Sequence, residues 1–259
     1  MPADLDVYVE RIATVANSDH YILSRLLKGL ADKGLSYRLR DRFNGRDLAP
    51  CAFMHIDLTE VPEHFHRIDR YYTRVVNGKA PSIDRRRYSR AMLQQDSSYG
   101  GPVISKSIYN HRGVPEFNYY RRLTVLARIG HLLKKLIKPH YKQLRCPEYQ
   151  VHADLNEVPE LVWSNKELMV ERFLPGSLEL PIEKHRYNFF YDYEFTSRSA
   201  FDSLLCDPAK VVSVDSFEEV PDEVAAIRKM LNLDYGSIDY FMVDGGHLSS
   251  MPTRQRQRG

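Results

Sequence analysis

Residues 233–248, LDYGSIDYFMVDGGHL, decide how the rest of the chain is read. Asp234-Tyr235-Gly236 reads as a helix stop. Ile238, Tyr240 and Met242 then alternate with Asp239, Phe241 and Val243, the period of two of a β-strand, and Asp244-Gly245-Gly246 supplies a turn. The residues after the turn, SSMPTRQRQRG, have neither an apolar alternation nor a carboxylate, so 249–259 are expected to form a mobile tail rather than a strand.

Working outward, residues 216–233 read as a helix leading into that strand. Pro221, Asp222 and Glu223 sit in its first turn, Val224, Ile227, Met230 and Leu231 on one face, and Arg228 and Lys229 late. Upstream, LMVERFLP at 168–175 is a short strand with a Glu near its end and a turn through Pro175-Gly176; the strand end alone admits either an ordinary exposed acid or a functional one. Residues 101–107, GPVISKS, form an apolar strand with a single lysine, Lys106, and on spacing alone such a lysine belongs on an exposed edge.

These stretches together resemble the ATP-grasp superfamily. The match runs from Asp57-Leu58-Thr59 through Val76-Asn77-Gly78, Tyr88-Ser89, Gly101-Pro102-Val103 and Asn110-x-x-Gly113-Val114-Pro115-Glu116 to the closing Leu-Asp-Tyr-Gly-x-Ile-Asp-Tyr. It looks like an uncharacterised branch related to carboxylate-amine ligases. The resemblance implies ATP and Mg2+ as cofactors. It places Lys106 on the nucleotide phosphates, where an ammonium acts as a point cation, with Asn110, Arg112 and Gly113 in the loop after that strand. It makes Glu171, Arg172, Phe173 and Leu174 the adenine-binding hinge and Asp239 a metal ligand, and it adds Lys210, since a lysine or arginine near there can face the phosphates. The family's return strand, with an acidic-x-Asn motif and Thr-Pro-Gly, has no counterpart in residues 249–259. Where the branch tends to have two glycines, this chain has Arg112-Gly113, which leaves less room for backbone to approach a phosphate.

The first third alternates strands and helices. A β-branched run at 8–15, a helix at 21–30 stopped by Gly34, strands at 36–39 and 52–58, a helix after Pro62 and a strand at 73–76 predict a mainly parallel sheet. Glu-Val-Pro occurs at Glu60, Glu157 and Glu219, each time followed by an acid; Pro with acids in a first turn marks a helix N-terminus.

Composition excludes several classes. Lys+Arg 37 against Asp+Glu 34 leaves a net +3, too little to require a polyanionic partner. Cys51, Cys146 and Cys206 form no CxxC pair, which fits a reducing compartment. No GxGxxG, P-loop or GxSxG motif is present, and His64-x-His66 lacks a third ligand at zinc spacing. The basic amphipathic segment at 121–145 reads as a solvated helix on a sheet, ahead of a membrane or RNA surface. With no signal peptide and no long apolar run, a cytoplasmic protein is expected.

The expectation is therefore an α+β, ATP-grasp-like chain: a pre-ATP-grasp α/β subdomain over 1–95, a nucleotide-binding domain over 96–248 with an incomplete C-terminal sheet, and the tail. It is expected to bind ATP, with carboxylate and amine substrates if active and with catalysis impaired or absent. The alternatives are a non-catalytic interaction protein or a basic RNA- or membrane-associating module; no nucleic acid or membrane partner is expected.

Overall fold

The structure is a computed structural model and describes residues 3–12, 22–120, 149–175, 179–217, 219–243 and 247–253. The first sheet is parallel, in the order β2-β1-β3-β4, with β1 at Leu5–Val9, β2 at Tyr37–Arg40, β3 at Cys51–His55 and β4 at Arg74–Val76. Both faces are covered, as a parallel sheet requires. Val7, Val9 and Phe53 pack with Leu23 and Leu27 of helix α1 (Ile22–Asp32), while Tyr8, Ala52 and Met54 pack on the other side against Val61, Phe65 and Ile68. The expected helix after Pro62 is instead two 3-10 turns, Glu63–Phe65 and Ile68–Tyr71. Arg67 between them is left-handed at φ 66°, which breaks the helix.

A three-stranded antiparallel sheet comes next, β6-β5-β7, with β5 at Val103–Ser107, β6 at Gln150–His152 and β7 at Leu168–Arg172. Helix α2 (Val114–Tyr120) lies between β5 and β6 in the chain, and α3 (Glu160–Ser164) between β6 and β7. The basic segment at 121–145 lies outside the described residues.

The third sheet has five strands, β10-β9-β8-β11-β12: β8 Ile182–Phe190, β9 Tyr193–Phe201, β10 Val211–Phe217, β11 Tyr235–Val243 and β12 His247–Thr253, with α4 (Asp222–Met230) before β11. Pro62, Pro159 and Pro221 are each the N-cap of the turn or helix that comes after, so all three Glu-Val-Pro copies mark helical starts. Residues 216 and 217, expected in the last helix, belong to β10. That helix ends one step earlier than Asp234-Tyr235-Gly236. Asn232 is left-handed at φ 53° and the Leu233 N–H bonds back to Arg228 O at 3.2 Å, a Schellman closure.

The C-terminal expectation needs correction. Residues 249–253, expected in the tail, belong to β12, which is antiparallel to β11 in continuous register from Ser237↔Thr253 to Val243↔His247. Among the described residues the strand lies at the sheet edge, paired only with β11. An edge is also where a proline such as Pro252 fits, having no N–H to donate. The sheet thus has its return strand, and the residues beyond 253 are outside the described set. No described helix is long and apolar enough to cross a membrane.

Candidate functional site

β5 is the middle strand of its sheet, and every residue of it is buried. Lys106 is therefore no edge residue: it is 1% exposed, and its ammonium forms an ion pair with Glu171 of the neighbouring β7. Burial brings the Lys106 pKa down to about 8, against the pull of Glu171. Glu171 is 2% exposed. Burial pushes its carboxyl up, but Lys106, a 2.7 Å hydrogen bond from the Ser89 hydroxyl and the nearby Arg85 outweigh that, and its pKa is lowered.

Arg85 is the group that sequence reading missed. It lies in the run Arg85-Arg86-Arg87, which looks like a solvated patch, yet Arg85 alone of the three is buried. Asp84 caps this 3-10 turn by accepting from the Arg86 N–H at 2.9 Å, and the turn directs Arg85 inward. Its guanidinium donates to the Tyr149 hydroxyl at 3.3 Å from both terminal nitrogens. Burial opposes its charge, but Tyr149, Tyr88 and Glu171 more than offset this and its pKa is raised. Residues 91–93 run beside β7, with Leu93 N–H to Val170 O at 3.0 Å and Arg172 N–H to Ala91 O at 2.9 Å, which brings Ser89 to Glu171. Among the described residues the buried cluster thus holds two cations, Lys106 and Arg85, against one carboxylate.

The remaining expected residues fall in three places. Phe173 and Leu174 are buried beyond β7, Phe173 giving its N–H to Pro102 O at 2.8 Å, while Leu174 packs with Ile182 and Phe241 of the third sheet; Arg172 is exposed, 5.2 Å over the Tyr99 ring. In the loop after β5, His111, Arg112 and Gly113 are all left-handed. Arg112 takes this conformation as a non-glycine at φ 59°, with its guanidinium 5.5 Å over the Tyr149 ring beside Arg85. Asn110 turns away, toward Asp57 and Thr59. Lys210 is exposed in a 3-10 turn before β10 and does not join the cluster.

Asp239 lies opposite Arg186 of β8, on the face of β11 that carries Phe241. Arg186 grips both carboxylate oxygens, at 2.6 and 3.1 Å, and the Lys184 ammonium is 3.5 Å from one of them. Burial works to raise the Asp239 pKa, but the two cations hold it down at about 2. One carboxylate between two cations is a poor donor set for magnesium, which wants several oxygens in near-octahedral array. Among the described residues no group of three or more His, Cys, Asp or Glu could hold a metal ion. The residues around Asp239 do not fit the metal that the resemblance implies.

No family model matches the sequence, and no curated protein matches it. Solved structures do. The ATP-grasp ligase PsnB complexed with a phosphomimetic variant of minimal precursor, Mg and ADP is similar at TM-score 0.53 and 11% identity, over 98% of this chain and 90% of that one. PsnB complexed with minimal precursor is similar at TM-score 0.51 and 12% identity, over 97% and 90%. At such identity the likeness speaks to architecture, and it runs nearly end to end through the parallel sheet and both antiparallel sheets: the chain has the ATP-grasp fold.

Proposed function

We propose that this chain binds an adenine nucleotide between its second and third sheets, with the phosphates drawn to Lys106 and Arg85 and the base against the hinge at 171–174. One observation carries the reading: a buried cluster of two cations and a single carboxylate holds an uncompensated positive charge, which is costly to desolvate unless an anion joins it. A phosphate oxygen is such an anion, and Arg112 stands over the same Tyr149 ring at the edge of the cluster. The reading agrees with the ADP seen in PsnB. The ligase activity of this fold class would join a carboxylate and an amine through an acyl phosphate, with C–N bond formation releasing phosphate. The donor set at Asp239 supports nucleotide binding without efficient magnesium-dependent turnover, and no step is assigned to the metal.

Calorimetry with ATP and with adenosine tests the reading. Lys106→Ala is expected to weaken ATP by about tenfold or more, the scale of one charge-assisted contact, while adenosine changes little. Equal losses for both ligands would remove Lys106 from the phosphate site, and no binding of either would overturn the proposal.

A further inference from the structure

Alternation along β8 and β11 puts Ile182, Lys184 and Arg186 on one face of the third sheet with Asp239 and Phe241, Asp239 being the cross-strand partner of Arg186. That face meets the hinge. Leu174, three residues on from Glu171, packs with Ile182 and Phe241, and these stand one same-face position from Lys184 and Asp239 respectively.

In the trio on this face the cations outnumber the carboxylate. Arg186 spends Nε and Nη2 on the two oxygens of Asp239, at 2.6 and 3.1 Å, and the Lys184 Nζ stands 3.5 Å from Oδ2. A guanidinium carries five N–H groups and an ammonium three, so Asp239 takes up only part of their donor capacity. The Arg186 and Lys184 side chains are 26% and 18% exposed, against 12% for Asp239, so the face offers a ligand positive charge ahead of negative.

A magnesium ion on Asp239 would have to displace Arg186 or share the carboxylate with two positive charges. Breaking such a pair and placing like charges side by side are both costly. The neighbouring strand supplies no further carboxylate: the register sets Met251 of β12 opposite Asp239, and the β12 sequence is HLSSMPT. A phosphate oxygen meets the opposite situation. It brings the negative charge that the trio lacks, and it accepts the spare N–H groups in charge-assisted bonds.

We propose that Arg186 and Lys184, held in position by Asp239, take the charge-neutralising part that a divalent metal would otherwise play on the phosphates, so that the ligand of this chain is a magnesium-free nucleoside triphosphate. The inference rests on the proposed nucleotide site and adds the charge form of its ligand. Magnesium in solution covers phosphate charge before binding and so competes with the two side chains.

Calorimetry of the full chain with ATP tests this, in EDTA and in excess MgCl2 at matched ionic strength, with adenosine as the reference that carries no phosphate. ATP is expected to bind about tenfold more weakly in magnesium, the scale of one charge-assisted contact, and adenosine equally in both buffers. Arg186→Met combined with Lys184→Met is expected to lose at least about tenfold in metal-free ATP affinity and to abolish the weakening by magnesium. Arg186→Lys keeps the charge and is expected to retain that weakening. ATP bound by the natural chain as tightly or more tightly with magnesium, or an unchanged metal-free affinity in the double variant, would overturn the inference and leave the nucleotide site standing. Absence of ATP binding in both buffers would overturn the two together.

Discussion

Asn77, just past β4 of the first sheet, and Asp234, at the start of β11 in the third, clasp one another. The Asn77 N–H donates to Asp234 Oδ2 at 2.8 Å, and the Asp234 N–H donates to Asn77 Oδ1 at the same distance. Oδ1 accepts a second bond from the Tyr235 N–H at 3.0 Å, and Nδ2 donates to Tyr235 O at 2.9 Å. Tyr235 then packs with Val7, Val9 and Phe53 in the core of the first sheet. The Asp234-Tyr235 pair that opens the sequence motif is thus a joint between sheets.

Asn77→Ala should therefore be costly. It removes three side-chain hydrogen bonds at about 1 kcal/mol each and leaves an alanine at φ 58°, a further ~1 kcal/mol, so a loss of roughly 3–4 kcal/mol is expected in urea unfolding. Asn77→Gly loses the same bonds but tolerates the backbone, and should recover about 1 kcal/mol of that. Equal losses would mean that the left-handed backbone is not under load.

Asp239 provides a stability test of its cationic setting. Its folded pKa of about 2 lies below the unfolded value of 3.8, so its contribution is present above the unfolded pKa and is lost as pH falls through the folded one. Asp239→Asn strands Arg186 and Lys184 and should cost about 3 kcal/mol at pH 7, with the difference from the natural chain shrinking toward pH 2. Adding Arg186→Met should restore part of the loss. An Asp239→Asn chain as stable as the natural one would show that the pair carries no net energy and would reopen the carboxylate to other ligands.

Glu10 titrates the other way. Burial first, and the Asp57 charge second, push its pKa up to about 7 from 4.5. Its contribution is full below the unfolded pKa and is lost as pH rises through 7. Glu10→Gln should then flatten the stability profile between about pH 4.5 and 7 and raise stability at pH 8 by about 3 kcal/mol, the order given by a shift of this size. A parallel profile in the variant would place the titration elsewhere.

Local signals in the sequence were legible and long-range ones were not. The strand alternation at 238–243, the three Glu-Val-Pro starts and the parallel first sheet rest on local periodicity and turn chemistry and appear as expected, although the strand begins earlier, at Tyr235, within the stretch read as a helix stop. The depth of Lys106 does not, because burial depends on β6 and β7 lying on both sides of β5, which no spacing within GPVISKS encodes. Arg85 was hidden for the converse reason: three consecutive arginines look alike in sequence, and only the 3-10 turn capped by Asp84 turns one of them inward. β12 escaped because its pairing is with the backbone of β11, which residues 247–253 taken alone do not encode.

The charge state of Lys106 gives the nucleotide proposal its pH dependence. In the free chain burial lowers its pKa to about 8, so the ammonium is present below that value and is lost above it. A phosphate stabilises the charged form, so binding above pH 8 must take up a proton. ATP affinity should then fall as pH rises from 8 to 10, by at most about tenfold per pH unit, one proton's worth of linkage. Adenosine, which meets no phosphate contact, should bind equally well across this range. Arg85 stays charged throughout, so Lys106→Arg should abolish the pH dependence while keeping most of the ATP affinity. Calorimetry of ATP and adenosine at pH 7, 8, 9 and 10 in both chains measures this. A flat ATP profile in the natural chain would mean that the phosphates do not reach Lys106, and that Arg85 carries the anion alone.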